Sequence, residues 1–127
     1  MKEAILPEFL IGVLFNKKAT IAFNTSQFHK AFYRMKKRSE FTDLFLNIPF
    51  TGSPINPFSG ALDEALFNMQ YAGALSRRNP ELIIYSTTGS FTDVYNDLTK
   101  GIDSQTLERA RLLCDGVLEN LTENAIA

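Results

Sequence analysis

Few side chains in this sequence could support catalytic or metal-binding chemistry. The chain contains one histidine, His29, and one cysteine, Cys114, which lie far apart along the sequence. Transition metals need clusters of histidine, cysteine or carboxylate ligands, so the sequence predicts no such site. Asp93 and Asp97 share a helical face, but a solvated face explains this spacing more simply than a magnesium site. We therefore expect no metal and no cofactor.

Nucleophilic catalysis and nucleotide binding also lack their usual signatures. No serine lies in a Gly-x-Ser-x-Gly elbow, and the seven glycines form neither a Gly-x-Gly-x-x-Gly loop nor a Walker motif. His29 precedes Lys30, and we interpret it as an exposed histidine on a helix surface. Cys114 lies among leucines and a valine, which indicates a buried small hydrophobic residue. These patterns predict that the chain is not an enzyme, and an unrecognised catalytic site is the least favoured of three functional hypotheses.

A local cluster of cations is the clearest binding signal. Five basic residues lie within nine positions, with Phe32 and Tyr33 between them, and two arginines lie at a predicted hairpin. Because phosphates are contacted by lysine and arginine, these are candidate nucleic-acid-binding residues: Lys30, Arg34, Lys36, Lys37, Arg38, Arg77 and Arg78. The formal net charge of -1 gives no global attraction to nucleic acid or anionic lipid, so any such binding has to be local.

Large aromatic side chains are numerous for a modest core. The surplus comprises Phe41, Phe45, Phe50, Phe58, Phe67 and Tyr71. Four of these rings lie in or beside an apolar segment and a loop, and they are our candidate partner-binding residues: Phe41, Phe45, Phe50 and Phe58. The alternative is that they fill the core around residues 41–50, because large exposed apolar patches are uncommon on monomers.

Length and composition favour one domain over residues 1–127. With 45% apolar residues the chain has the material for one core. The apolar run at residues 5–15 is too short to span a bilayer and is interrupted by Pro7 and Glu8. No small-residue cleavage site follows it, so we expect a cytoplasmic protein without a membrane segment.

Hydrophobic periodicity predicts a mainly helical α+β fold. Helices are predicted at residues 7–16, 59–72, 91–100 and 104–121. A further one is capped by Thr25 or Ser26, has an apolar stripe of Phe28, Ala31, Phe32 and Met35, and carries Lys30, Arg34, Lys37 and Arg38 on its opposite face. Ser59 and Ser90 are the predicted caps of two others. Residues 19–23 fit a short strand, and residues 74–88 fit a β-hairpin whose turn contains Asn79 and Pro80. Residues 41–50 fit a helix and a strand equally well.

This order of elements resembles a winged helix over about residues 5–90, with a C-terminal helical extension at about 91–124. Residues 59–72 stand in the recognition-helix position and residues 75–88 in the wing, after the sequence Asn-Pro-Phe-Ser at positions 56–59. The small size, the added C-terminal helices and the acidic third helix are similar to the middle-component proteins of bacterial three-component systems built around an SMC-like ATPase. That family acts against phage and plasmids, and the resemblance implies a non-catalytic adaptor between an ATPase and an effector.

We therefore predict a non-catalytic protein-interaction or adaptor subunit of a bacterial multi-component complex. It would form a homodimer or dock on a larger protein through its aromatic loop and C-terminal helix. The alternative is a winged-helix DNA-binding regulator that contacts phosphates through the basic helix and the wing. Its predicted recognition helix carries Asp63 and Glu64 and no lysine or arginine, which disfavours reading of base edges.

Overall fold

The computed structural model of the chain describes residues 5–78 and 84–126, with side chains at residues 5–77 and 84–121. The fold is α+β, as predicted. Its elements, in chain order, are α1 (Pro7–Lys17), β1 (Thr20–Ala22), α2 (Thr25–Lys36), a 3-10 helix (Ser39–Phe45), β2 (Thr51–Ser53), β3 (Asn56–Phe58), α3 (Gly60–Tyr71), β4 (Leu75–Arg78), β5 (Ile84–Thr87), α4 (Phe91–Thr99) and α5 (Ser104–Ile126).

Helix α1 is the centre of the hydrophobic core. Pro7 occupies its first turn, and every residue from Phe9 to Phe15 is buried, so burial is not confined to one face of the helix. A helix that is apolar all round has to be covered on all sides. Helices α3, α4 and α5 provide that cover, and the Cys114 thiol of α5 donates to the Leu10 carbonyl at 3.5 Å.

Helix α2 buries the stripe that the sequence predicted, namely Phe28, Ala31, Phe32 and Met35. The expected cap at Thr25 or Ser26 is wrong, because Asn24 caps the helix. Its side-chain oxygen accepts from the Gln27 amide at 2.8 Å, and the Gln27 side chain accepts from the Asn24 amide at 3.2 Å. This reciprocal pair satisfies two amides that have no partner within the helix.

The main sheet has the antiparallel order β1–β5–β4. The wing hairpin pairs Leu75 with Thr87 and Ser76 with Ser86, and β1 adds Thr20 opposite Ser86 on the other side. A strand from between the first two helices therefore pairs with the hairpin that follows α3. The antiparallel hairpin and the pairing of β1 with it are those of an α+β fold, and the resemblance to a winged helix stays a prediction. The expected turn at Asn79 and Pro80 lies outside the described residues.

Residues 41–50 form neither a continuous α-helix nor a strand. The 3-10 helix occupies Ser39–Phe45 and buries Leu44 fully. Beyond it Ile48 is also fully buried, while Leu46 is 78% exposed. Strands β2 and β3 then make a second, small antiparallel hairpin. Gly52 has a φ of 84°, and a Cβ there would lie 2.6 Å from the Asn56 carbonyl oxygen, so only glycine fits this hairpin without strain.

The two C-terminal helices pack against α1, and α5 also packs against α2. The expected side-chain cap of α4 by Ser90 is absent: Ser90 occupies the N-cap position, but its side chain makes no capping hydrogen bond. The Thr88 hydroxyl accepts from the Ser90 amide at 3.2 Å. Asp103 caps α5 by accepting from the Thr106 amide at 2.7 Å. Helix α5 extends to residue 126 rather than ending near 121. Its Ala110, Leu113, Cys114, Val117 and Leu121 belong to the same core cluster as α1 and α2.

Arg109 ties α5 to the 3-10 helix. Its guanidinium contacts both carboxylate oxygens of Asp43, one of them at 2.8 Å, and also donates to the Glu40 carbonyl at 2.8 Å. Hydrogen bonding to Asp43 raises the pKa of Arg109 above its ordinary value. A bidentate pair with an additional backbone acceptor is stronger than a typical surface ion pair.

Replacement of Arg109 by methionine should therefore destabilise the fold. Methionine keeps most of the apolar stem but removes three hydrogen bonds, so we expect the free energy of unfolding in urea to fall by about 1 kcal/mol. Arg111→Met is the matched control, because among the described side chains Arg111 pairs with Glu108 of the same helix alone, at 3.8 Å. Equal losses in the two variants would contradict the role given to Arg109.

Candidate functional site

Helix α3, which was predicted to stand in a recognition-helix position, is well defined at both ends. The Ser59 hydroxyl accepts from the Leu62 amide at 3.3 Å, as predicted for its cap. The helix buries Leu62, Ala65, Leu66 and Met69. It is followed by Gly73, whose φ of 80° ends the helix at the expected place.

The face of α3 opposite the core exposes two aromatic rings. Phe67 is 63% exposed and Tyr71 is 86% exposed. The residues are four positions apart, and their rings stack with centroids 6.3 Å apart and an angle of 21° between the planes. Neither ring fills the core, so the pair is a preformed apolar patch on the most accessible side of the helix. Its position could be deduced from the sequence, because both residues lie opposite the stripe from Leu62 to Met69.

Acidic and neutral polar residues surround this aromatic pair. Asp63 and Glu64 are exposed at the first two turns, and the Asn68 amide lies 3.5 Å from the Glu8 carboxylate. No lysine or arginine occurs in α3. The recognition helix of a major-groove reader presents its N-terminal residues to DNA, where these carboxylates would face phosphates. The exposed face of α3 therefore suits contact with protein better than contact with DNA.

A basic groove lies between α2 and the β2–β3 hairpin. Its volume is about 220 Å³. Three of the seven candidate nucleic-acid-binding residues line it, because Lys30, Arg34 and Lys37 follow one another along one side of α2. The rest of the lining is aromatic or apolar, and it consists of Tyr33, Pro54, Ile55 and Pro57.

The other predicted phosphate contacts are not gathered at this groove. Lys36 donates to the Ile48 carbonyl at 3.4 Å and lies 5.2 Å from the centroid of the Phe50 ring. Arg38 pairs with Glu40. Arg77 belongs to the wing strand β4, and the Arg78 side chain lies outside the described part of the chain. Of the six whose side chains the structure describes, three therefore line the groove and three do not.

The four candidate partner-binding rings divide between the core and the surface. Phe41 and Phe45 are each only 4% exposed, so the expectation that they meet a partner is wrong. They fill the space between the 3-10 helix and the core, which periodicity alone could not establish. Phe50 is half-buried and meets the Tyr33 ring edge-on at 5.3 Å. Phe58 is 43% exposed and is the one of the four that presents substantial surface.

His29 is buried, which corrects the expectation of an exposed histidine. It is 1% exposed, and the Phe58 ring covers it with centroids 4.6 Å apart. Its Nδ1 accepts from the Ser59 amide at 3.0 Å, so the neutral ring carries its proton on Nε2. That atom lies 3.9 Å from the Asp63 carboxylate, which is too long for a hydrogen bond. His29 thus connects α2 to the start of α3.

Burial sets the protonation of His29. It lowers the pKa below the ordinary value of 6.5, and the nearby Asp63 carboxylate opposes that shift only in part. Protonation at Nδ1 would replace the acceptor of the Ser59 amide with a second donor. Because Ser59 also caps α3, the charged form disfavours the junction between the two helices.

No protein-family model, curated protein or solved structure matches this chain. Residues 5–78 and 84–126 include no helix with the length and apolar character needed to cross a membrane. Within the same residues, no group of three or more histidine, cysteine, aspartate or glutamate side chains is placed to hold a metal ion. The aromatic face of α3 and the basic groove of α2 are exposed surfaces on which a ligand could bind.

We expect His29 to make stability depend on mildly acidic pH. Its folded-state pKa is lowered, so the unfolded state binds more protons, and the stabilisation is complete above about pH 6.5 and lost as the pH falls towards the folded-state value. The slope contributed by one proton is at most about 1.4 kcal/mol per pH unit. Urea unfolding of the wild type and of His29→Asn between neutral and mildly acid pH measures it. Asparagine keeps an acceptor near Nδ1 but does not titrate, so a slope unchanged in the variant would refute this assignment.

Proposed function

We propose that this chain is a non-catalytic protein-interaction subunit that docks on a protein partner through the exposed face of α3. The observation that carries the proposal is the stacked pair Phe67 and Tyr71 on the solvent-exposed face of the helix. Aromatic residues dominate the buried centres of protein interfaces, because they bring a large apolar area at a low cost in side-chain entropy.

The chemistry around the pair specifies the partner. An apolar cleft would accept the two rings, and a basic rim would face the carboxylates of Asp63 and Glu64. The same carboxylates repel DNA, so this surface discriminates between the two kinds of ligand. A bacterial multi-component complex with a role against phage or plasmids is the proposed setting, and it rests on the resemblance of layout alone.

Removal of the two rings should abolish this docking without unfolding the chain. Both side chains are largely exposed, so Phe67→Ser combined with Tyr71→Ser should change the free energy of unfolding by less than about 0.5 kcal/mol. The tagged wild type and the double variant are purified from native cells after nuclease treatment. We expect a stoichiometric protein that accompanies the wild type and is lost from the variant.

Leu112→Ser is the matched control, because Leu112 is 52% exposed on α5, and the proposal places docking on α3 in place of the C-terminal helix expected from the sequence. It should retain the partner. Recovery of the same protein with the α3 variant, or its loss from both variants, would contradict docking through α3. Material that disappears from the wild type on nuclease treatment would point to nucleic acid instead.

The second candidate function is a DNA-binding regulator that contacts phosphates through α2 and the wing. It is favoured by the three cations of the groove and by Arg77 on strand β4. Against it stand the acidic α3 and the scattering of the remaining cations. If it holds, the affinity for a labelled duplex falls with salt, with a logarithmic slope of about 0.9 per phosphate contact. No measurable binding at low salt would exclude it.

A further inference from the structure

The cations of the α2 groove form no ion pair with a carboxylate among the described side chains. Lys17, Arg38, Arg109 and Arg111 each form an ion pair with a carboxylate of the same chain. Among the described side chains, Lys30, Arg34 and Lys37 have no such partner. Three positive charges are thus concentrated on one side of a concave surface.

Two of these cations are held in place without being neutralised. The Arg34 guanidinium donates to the Asn120 side-chain oxygen of α5 at 2.8 Å. The Lys37 ammonium lies 4.8 Å from the centroid of the Tyr33 ring. An amide and an aromatic face orient a cation but leave its charge available. These long side chains are therefore partly ordered before a ligand binds, which lowers the loss of side-chain entropy on binding.

The spacing of the cations suits an extended ligand. Lys30 and Lys37 lie about 10 Å apart along the helix, from a rise of about 1.5 Å per residue. In an extended peptide, side chains on one face recur about every 6.8 Å. Two or three carboxylates on one face of such a peptide would therefore meet the three cations.

The opposite wall of the groove favours a peptide over nucleic acid. Pro54 and Ile55 form the turn of the β2–β3 hairpin, and the Ile55 side chain is 82% exposed at the groove. A sugar-phosphate backbone gains little from an aliphatic wall, whereas an apolar side chain between acidic ones would pack against it. The conformation of this hairpin requires glycine at position 52, so the wall has a defined backbone conformation.

We propose that this groove binds an extended acidic peptide segment of a partner protein, with carboxylates on Lys30, Arg34 and Lys37 and an apolar side chain against Ile55. It is a second docking surface, made of different residues from those of the α3 face. An adaptor requires two such surfaces. The inference does not depend on the function proposed for α3, and it is tested with different variants.

The test uses a short fluorescent peptide that alternates glutamate with leucine, titrated with the full chain at low salt and followed by anisotropy. We expect saturable binding that weakens as salt is added. Arg34→Glu combined with Lys37→Glu should weaken binding by about tenfold or more, and Ile55→Ser by about fivefold. A peptide with glutamine in place of glutamate should not bind.

Lys18→Glu combined with Lys100→Glu is the matched control, because it changes the net charge equally at two exposed positions outside the groove. It should leave peptide binding within about twofold of the wild type. Equal loss in the control would show non-specific attraction and overturn the proposal, as would no binding of the peptide at low salt. Tighter binding of a labelled DNA strand, lost with Arg34→Glu and Lys37→Glu but not with Ile55→Ser, would replace the peptide with nucleic acid as occupant.

Discussion

The burial of α1 on all sides from Phe9 to Phe15 is the constraint on which the rest of the molecule depends. A helix in which every residue from Phe9 to Phe15 is buried cannot lie at the edge of a domain, because each of its sides needs an apolar neighbour. The helices α3, α4 and α5 meet that need together. The C-terminal helices are thus part of the central packing and not merely attached to it. Their outer faces, and those of α2 and α3, are what remains for contact with other molecules.

A second constraint fixes α3 relative to α2. The Ser59 amide donates to the buried His29 ring, and the Ser59 hydroxyl caps the helix that carries the exposed aromatic pair. The Phe58 ring covers the histidine from the adjacent position. One short stretch therefore closes the small hairpin, shields a titratable group and starts α3. The start of α3 is tied in this way to a single buried side chain.

Sequence patterns predicted burial correctly where it follows from the period of the helix itself. They failed where burial depends on a segment that is distant in the sequence. The stripes of α2 and α3 followed from the helical period alone. His29 lies just outside the α2 stripe, and its burial depends on Phe58, which the period of α2 cannot reveal. Phe41 and Phe45 were ambiguous for the same reason, since their segment fits two periods and tertiary packing selected a 3-10 turn. The exposure of Phe67 and Tyr71 could be predicted, because the helical period of α3 places both residues opposite its apolar stripe.

The balanced net charge conceals a separation of charge between the two surfaces. Asp63 and Glu64 accompany the rings of α3, whereas Lys30, Arg34 and Lys37 line the groove of α2. At physiological ionic strength the field of an exposed charge decays over about 8 Å, so a ligand senses the local patch and not the sum over the chain. A chain with a net charge of -1 can therefore present an acidic apolar face and a basic groove at once. Such a separation suits a protein that holds two chemically different partners together.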